Sequence, residues 1–267
     1  MPGMKMDFFK NKFDLILSIG ENCACSSYLR RCYLQSFSYP FDWLTHASFA
    51  TRFDLLVNDF ENFLNFDDLY LTGKPVAENA DKAHDYYANK YTDFYHWHDF
   101  PADIPLENSY DAVYEKYQRR IKRLYRMIGN SQKILFVWLS HSKQHGKDEI
   151  CSEYRKLQDK FSGKEIFLLV IENDSAVSQE FWADGHIAVI HQDTSSRDKK
   201  HHYDPTMGNK TNNLKIFKKL KLKTSFAEKI KKIIYVTCKT VINLLPGRKL
   251  RQRAKKKLNT IFYHVKL

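Results

Sequence analysis

Cys23 lies in the stretch SIGENCACSSY, where a short apolar run, Leu15-Ile16-Leu17-Ser18-Ile19, hands over through Gly20, Glu21 and Asn22 to a helix-forming segment over residues 24–32. The run reads as a buried β-strand, and Asn22 or one of the Ser and Cys residues after it as the helix cap. A strand end that faces a helix N-terminus opens onto the crevice of an α/β sheet. The N–H groups of such a terminus attract anions and activate thiols. One turn therefore offers two chemistries: a phosphate seat over Gly20, Glu21 and Asn22, or a nucleophile at Cys23. Candidate partners for either lie downstream. Asp42, in QSFSYPFDW, and His98 and Asp99, in FYHWHDFP, are of the types that move protons. Arg30, Arg119 and Arg120 are able to neutralise phosphate charge, and His141 follows a second apolar run in SHS.

Metal chemistry has weaker signals. His96, His98 and Asp99, or His201, His202 and Asp204, are ligand types, but neither group has the spaced partners of a zinc site, and no metal is assigned. Mg²⁺ on donor phosphates is the cofactor that the phosphate reading would bring. The five cysteines, Cys23, Cys25, Cys32, Cys151 and Cys238, form no disulfide framework. Without a secretory-type start or a run of about 18 apolar residues, a cytoplasmic setting is expected.

The elements that must position these residues are legible as apolar periodicity. The runs KILFVWL (133–139), EIFLLVI (165–171) and HIAVI (186–190) read as further buried strands. Helical spacing appears over 45–64, over 108–128 with Gly129-Asn130 as its stop, and over 151–161, with a short helical turn at 177–182. Residues 65–85 read as loop, and the aromatic-rich 86–101 as a hairpin or an irregular segment. Strands alternating with helices predict an α/β fold, Rossmann-like, with a mainly parallel sheet and helices on both faces. The four strands end in polar clusters at 18–22, 140–142, 172–174 and 191–193, which such a sheet gathers into one crevice. Residues 194–213 are long enough for a lid.

Of the 267 residues, 43% are hydrophobic and 15% aromatic, ample for a packed core. The net charge of +12 is unevenly spread: residues 215–267 hold 17 Lys and Arg against Glu228 alone, while the rest is mildly acidic. This divides the chain into a catalytic body, 1–214, and a basic amphipathic tail, 215–267. In the tail, Phe226, Ile230, Ile233, Ile234, Val241 and Leu245 fall on one side of a helix, and an intensely basic segment follows Pro246-Gly247. Aliphatic residues alternating with charge favour an anionic membrane surface as partner over nucleic acid. The expected location is peripheral, on the inner face of the cytoplasmic membrane.

The segments SIGENCACSSYLRRCYLQSFSYPFDWL, FYHWHDFP, KYQRRIKRLYRMI and KILFVWLS resemble a family of bacterial proteins described as papain-like cysteine peptidases of uncharacterised function. The resemblance runs over residues 14–200 and rests on the order Gly-x-x-Cys, Pro-Phe-Asp-Trp, His-Asp-Phe and Lys-Tyr-x-Arg-Arg. It implies Cys23 as nucleophile and His98 as its base, with Asp99 or Asp42 orienting the imidazole. It also points to Arg119 and Arg120, and implies a setting beside surface-polysaccharide genes.

Papain-like folds place the histidine on an antiparallel sheet, whereas the strand order read above is parallel. The main expectation is therefore a glycosyltransferase-type enzyme of surface-polysaccharide synthesis. It would move a sugar or phosphosugar, phosphoribosyl included, from a phosphorylated sugar donor to a glycan or lipid-linked acceptor. A cysteine peptidase or acyltransferase with a Cys23/His98 dyad is the alternative, and a non-catalytic ligand-binding module in the same crevice is the second.

Overall fold

The computed structural model describes residues 7–74, 83–142, 144–178, 180–196, 206–224 and 226–263. Among these, the chain is α/β and built on two larger sheets. The first has the order β2-β7-β8-β10-β9: β2 (Leu15–Ser18), β7 (Lys133–Leu139), β8 (Glu165–Asn173) and β10 (Ile187–Gln192) are parallel, and β9 (Glu180–Asp184) runs antiparallel on the edge. The second is wholly antiparallel, in the order β3 (Thr45–His46), β6 (Phe94–Pro101), β5 (His84–Asn89), β4 (Leu69–Gly73). It is contributed entirely by chain between β2 and β7. A two-residue parallel pair joins β1 (Lys12–Phe13) to β11 (Lys221–Leu222).

β7 shows why the parallel sheet is central. Ile134 to Leu139 are at most 1% exposed, and their side chains alternate between two cores. Ile134, Phe136 and Trp138 enter a core shared with α2 (Phe49–Val57), α3 (Leu106–Gly129) and α4 (Lys147–Lys160). Leu135, Val137 and Leu139 enter one shared with α1 (Cys23–Arg31) and α5 (Lys210–Phe217). Helices thus cover both faces, as expected. α3 presents Val113, Tyr117, Ile121, Leu124 and Ile128 at three- and four-residue spacing. Residue 214, the expected edge of the body, lies inside α5, and Ile216, Phe217 and Leu220 beyond it are buried in the second core.

The antiparallel sheet corrects the expectation of a single, mainly parallel one. Residues 65–85, read as loop, contain β4, and the aromatic segment is the β5–β6 hairpin; residues 75–82 lie outside the described residues. Of the segment read as a helical turn at 177–182, residue 179 lies outside the described residues, and residues 180–182 belong instead to edge strand β9. Its five residues are too short for either period to declare itself. In the hairpin the register shifts between Asp85, opposite Phe100, and Tyr87, opposite His96. β6 therefore bulges over Trp97, His98 and Asp99. The bulge breaks the alternation, so His96 and Asp99 both point inward while Trp97 and His98 are both exposed. Beyond β11 two further helices follow, α6 (Phe226–Leu244) and α7 (Arg248–Tyr263).

Candidate active site

α1 begins where β2 ends. Asn22, with extended backbone, accepts from the Ala24 N–H at 2.8 Å through its side-chain oxygen, so Cys23 is the first helical residue. Gly20 lets the helix approach closely: a Cβ there would lie 2.5 Å from Cys25 Cβ and 3.3 Å from Leu139 N. The two cysteines of the turn consequently differ. Cys23 is half-buried. Cys25 is wholly buried, donates to the Val137 carbonyl at 3.3 Å, and is pushed up to about 12 by burial. A thiol that holds its proton so tightly is not a nucleophile.

The strand-end clusters do converge. Glu21 accepts from Ser140 Oγ at 2.8 Å, from the His141 N–H at 3.0 Å and from Ser142 Oγ. Burial works against its charge, but the Ser142, Ser140 and His141 donors outweigh it and hold the carboxyl below its ordinary range. Thr194 ties the far side, its Oγ donating to the Ser140 carbonyl at 2.9 Å and its N–H to Asn173 Oδ1 at 3.1 Å. Glu172, fully buried, accepts from the His145 N–H at 3.0 Å, with Nδ1 of that ring 2.5 Å from its carboxylate. Gly208, at φ +57°, closes over His141: a Cβ there would sit 2.7 Å from the ring and 2.0 Å from the Thr194 oxygen. Residues 197–205 of the expected lid lie outside the described residues.

Between this wall and the antiparallel sheet lies a cavity of about 250 Å³ lined by Glu21, Asn22, Thr45, His46, Trp97 and Thr206. His46 has φ +67°, sparsely populated for a non-glycine residue. Its ring stacks on Tyr95 at 3.9 Å, meets Trp97 edge-on, and has Nδ1 3.2 Å from Thr45 Oγ1. Sequence reasoning missed His46. Its strand is two residues long, and only the fold brings it opposite Asn22. A second hollow of equal volume, lined by Thr51, Asp54, Asn58 and Tyr91 among others, has no thiol or imidazole.

The other expected residues lie elsewhere. Asp42 is fully buried and accepts from Arg30 at 2.6 Å, Gln35 at 2.6 Å and the Tyr39 N–H at 3.0 Å. Burial pushes it up against the pull of Arg30. Asp99 is enclosed by His96 Nδ1 at 2.8 Å, Tyr117 OH at 2.7 Å and Lys116 Nζ at 2.5 Å. Burial opposes its charge, yet His96 and Lys116 hold its carboxyl far below the ordinary range. His98, exposed on the outside of the bulge, meets Trp43 and His84 edge-on, and burial of part of its ring lowers its affinity for a proton. Arg119 pairs with Glu115 at 3.4 Å on the surface, and Arg120 lies over the Tyr117 ring at 5.2 Å. His201, His202 and Asp204 lie outside the described residues. Among the described residues no group of three or more His, Cys, Asp or Glu side chains is placed to hold a metal ion.

The family model described as "Putative papain-like cysteine peptidase (DUF1796)" matches residues 14–174, more than half of the chain. The chain belongs to that family. The match begins just before β2 and runs through α1, the whole antiparallel sheet, α3, β7, α4 and β8. The chain is also similar to "Uncharacterized protein R408" of Acanthamoeba polyphaga mimivirus, 31% identical over 136 residues, which cover 46% of this chain and 60% of that protein. No solved structure matches.

Family membership overturns the glycosyltransferase expectation and favours the cysteine-enzyme alternative. Local charge agrees. The turn read as a phosphate seat carries the ionised carboxylate of Glu21, and Arg30 is already engaged by Asp42 and Ser38. The parallel strand order leads one to expect no antiparallel sheet carrying histidine. That sheet is present and bears His46, His84, His96 and His98.

Proposed function

We propose that the chain is a cysteine hydrolase of peptidase type, with Cys23 as nucleophile and His46 as its base. The observation that carries this reading is the cavity shared by Asn22, the residue before Cys23, and by His46 and Trp97 of the antiparallel sheet. We read the parallel sheet as a Rossmann-like lobe into which the antiparallel, histidine-bearing sheet is inserted.

In this mechanism His46 takes the Cys23 proton as the sulfur attacks an acyl carbon. The imidazolium then returns that proton to the departing amine or alcohol, leaving a thioester on Cys23. Water, deprotonated by the same imidazole, displaces the thiolate and releases the acid. The N-terminal N–H groups of α1 favour the negative charge of thiolate and tetrahedral oxyanion alike. Glu21, fixed by three donors, holds its turn in place during these steps, and the exposed Trp97 ring offers an apolar surface to the acyl side chain.

A panel of fluorogenic esters and short peptides tests the assignment. Turnover is expected to vanish in Cys23→Ser and to persist in Cys25→Ala. Turnover retained by Cys23→Ser would refute it.

A further inference from the structure

The last two helices turn their apolar residues the wrong way for packing. Along α6, Tyr235 is only 6% exposed and packs edge-on against Tyr33 of the body, 6.0 Å between ring centroids. Cys238, Lys239 and Ile242 follow on that same half-buried side, and so does Leu245, which the sequence pattern groups with the apolar stripe. The opposite side carries Ile230, Ile233, Ile234, Val241 and Leu244, all exposed, Ile233 at 64% and Leu244 at 81%. Their three-, four- and seven-residue spacing makes one continuous stripe along the helix. A helix docked only for its own stability would bury this stripe and expose the other face.

α7 continues the pattern. Gly247, at φ +79°, reverses the chain after Pro246, and Arg251 donates to the Leu245 carbonyl at 2.9 Å, fixing the hairpin. Leu258 is buried, whereas Leu250 and Ile261 are exposed among the exposed Arg248, Lys249, Arg253, Lys256 and Lys257. From residue 229 to 267 the sequence holds 12 Lys and Arg and no acid. Lys239, Lys255 and Arg31 lie close enough that, beyond burial, the other two cations lower the proton affinity of Lys239.

We propose that the outer face of α6 and α7 is a docking surface for an anionic lipid bilayer, with α6 lying in the interface. The apolar stripe would enter the acyl boundary while the cations meet lipid phosphates. Charge decides the occupant. A second copy would bring two surfaces without acids together, and a nucleic acid would satisfy the cations but leave five aliphatic side chains in water. No described helix is long and apolar enough to cross a membrane, so the association is peripheral. It would hold the cavity beside Asn22 near membrane-borne substrates, and it does not depend on the proposed Cys23 chemistry.

The test is co-sedimentation of the full chain with phosphatidylcholine vesicles, with and without phosphatidylglycerol. Binding is expected only to the anionic vesicles and to fall at high salt. Arg253→Gln/Lys256→Gln/Lys257→Gln should weaken it roughly 100-fold. Ile233→Asp/Leu244→Asp should abolish it while thermal unfolding of the body stays unchanged, because both side chains are already in water. Equal binding to neutral vesicles, or undiminished binding of Ile233→Asp/Leu244→Asp, overturns the proposal. So does a lipid-free dimer that this double variant dissolves, because the stripe would then seat a second copy.

Discussion

The parallel sheet and the antiparallel sheet treat their polar groups in opposite ways. At the C-terminal ends of β2, β7, β8 and β10 the polar side chains satisfy one another: Glu21 is held by Ser140, His141 and Ser142, Glu172 by His145, and Thr194 by Asn173. The result is a preset wall whose charges need no rearrangement. In the antiparallel sheet the Asp99 carboxylate, held by His96, Lys116 and Tyr117, is sealed inside. The rings of His46, Trp97 and His98 are left on the outside. One sheet fixes the charge of Glu21 beside the start of α1, and the other places an imidazole and an indole at the same cavity. Arg52 joins them. Fully buried, it donates to the Glu21 carbonyl at 2.9 Å and, at longer range, to Ala47 and Leu44 beside β3, with its guanidinium over Phe94 of β6 and near Trp138 of β7.

Separating the sheets should therefore have the largest effect. Arg52→Met removes the donors that reach both and leaves buried carbonyls without them; we expect a loss of about 3–5 kcal/mol in urea unfolding. It should also slow Cys23 alkylation in the protein that remains folded. A loss under about 1 kcal/mol would mean that the two lobes hold together without it.

Asp99→Asn comes next and probes the antiparallel side alone. Because the folded carboxyl lies below its ordinary range, its contribution is present above that range and is lost as pH falls through the folded value. The variant should lose about 2–3 kcal/mol at pH 7, and its deficit against the wild type should shrink as the pH is lowered below about 4. A deficit that does not change with pH would show that the His96 and Lys116 contacts do not depend on the charge of Asp99.

Gly208→Ala, on the parallel side, should be milder in stability, about 1–3 kcal/mol, since the added methyl meets the Thr194 oxygen and the His141 ring. Its sharper consequence is local. The 206–209 turn must shift, so Thr206 moves in the cavity, and slower turnover with an unchanged antiparallel sheet is expected. Unaltered turnover and stability would show that the turn yields without touching the site.

The same contrast explains what was legible in the sequence. β7 and β8 declare themselves because both faces are buried, and α3 because its stripe runs unbroken from Val113 to Ile128. The polar strand ends were legible too, since a parallel sheet gathers them whatever the loops do. The antiparallel sheet was not. Its longest strand loses alternation at the Trp97-His98-Asp99 bulge, and β3 has two residues. Asp42 drew attention by residue type, but nothing local reveals that Arg30, Gln35 and Tyr39 close around it. His46 became visible only once β3 paired with β6 and carried it to the cavity beside Asn22. The stripe on α6 was legible as amphipathic, but its outward direction depends on the packing of Tyr235 against Tyr33.

The most direct test of the pairing between the sheets is the pH dependence of Cys23 alkylation by iodoacetamide, followed by peptide mass spectrometry in the wild type, His46→Ala and His98→Ala. If His46 activates Cys23, the midpoint of the profile rises by about one pH unit or more in His46→Ala, toward the ordinary thiol range, and stays at the wild-type value in His98→Ala. A midpoint that is unmoved in His46→Ala would contradict the account.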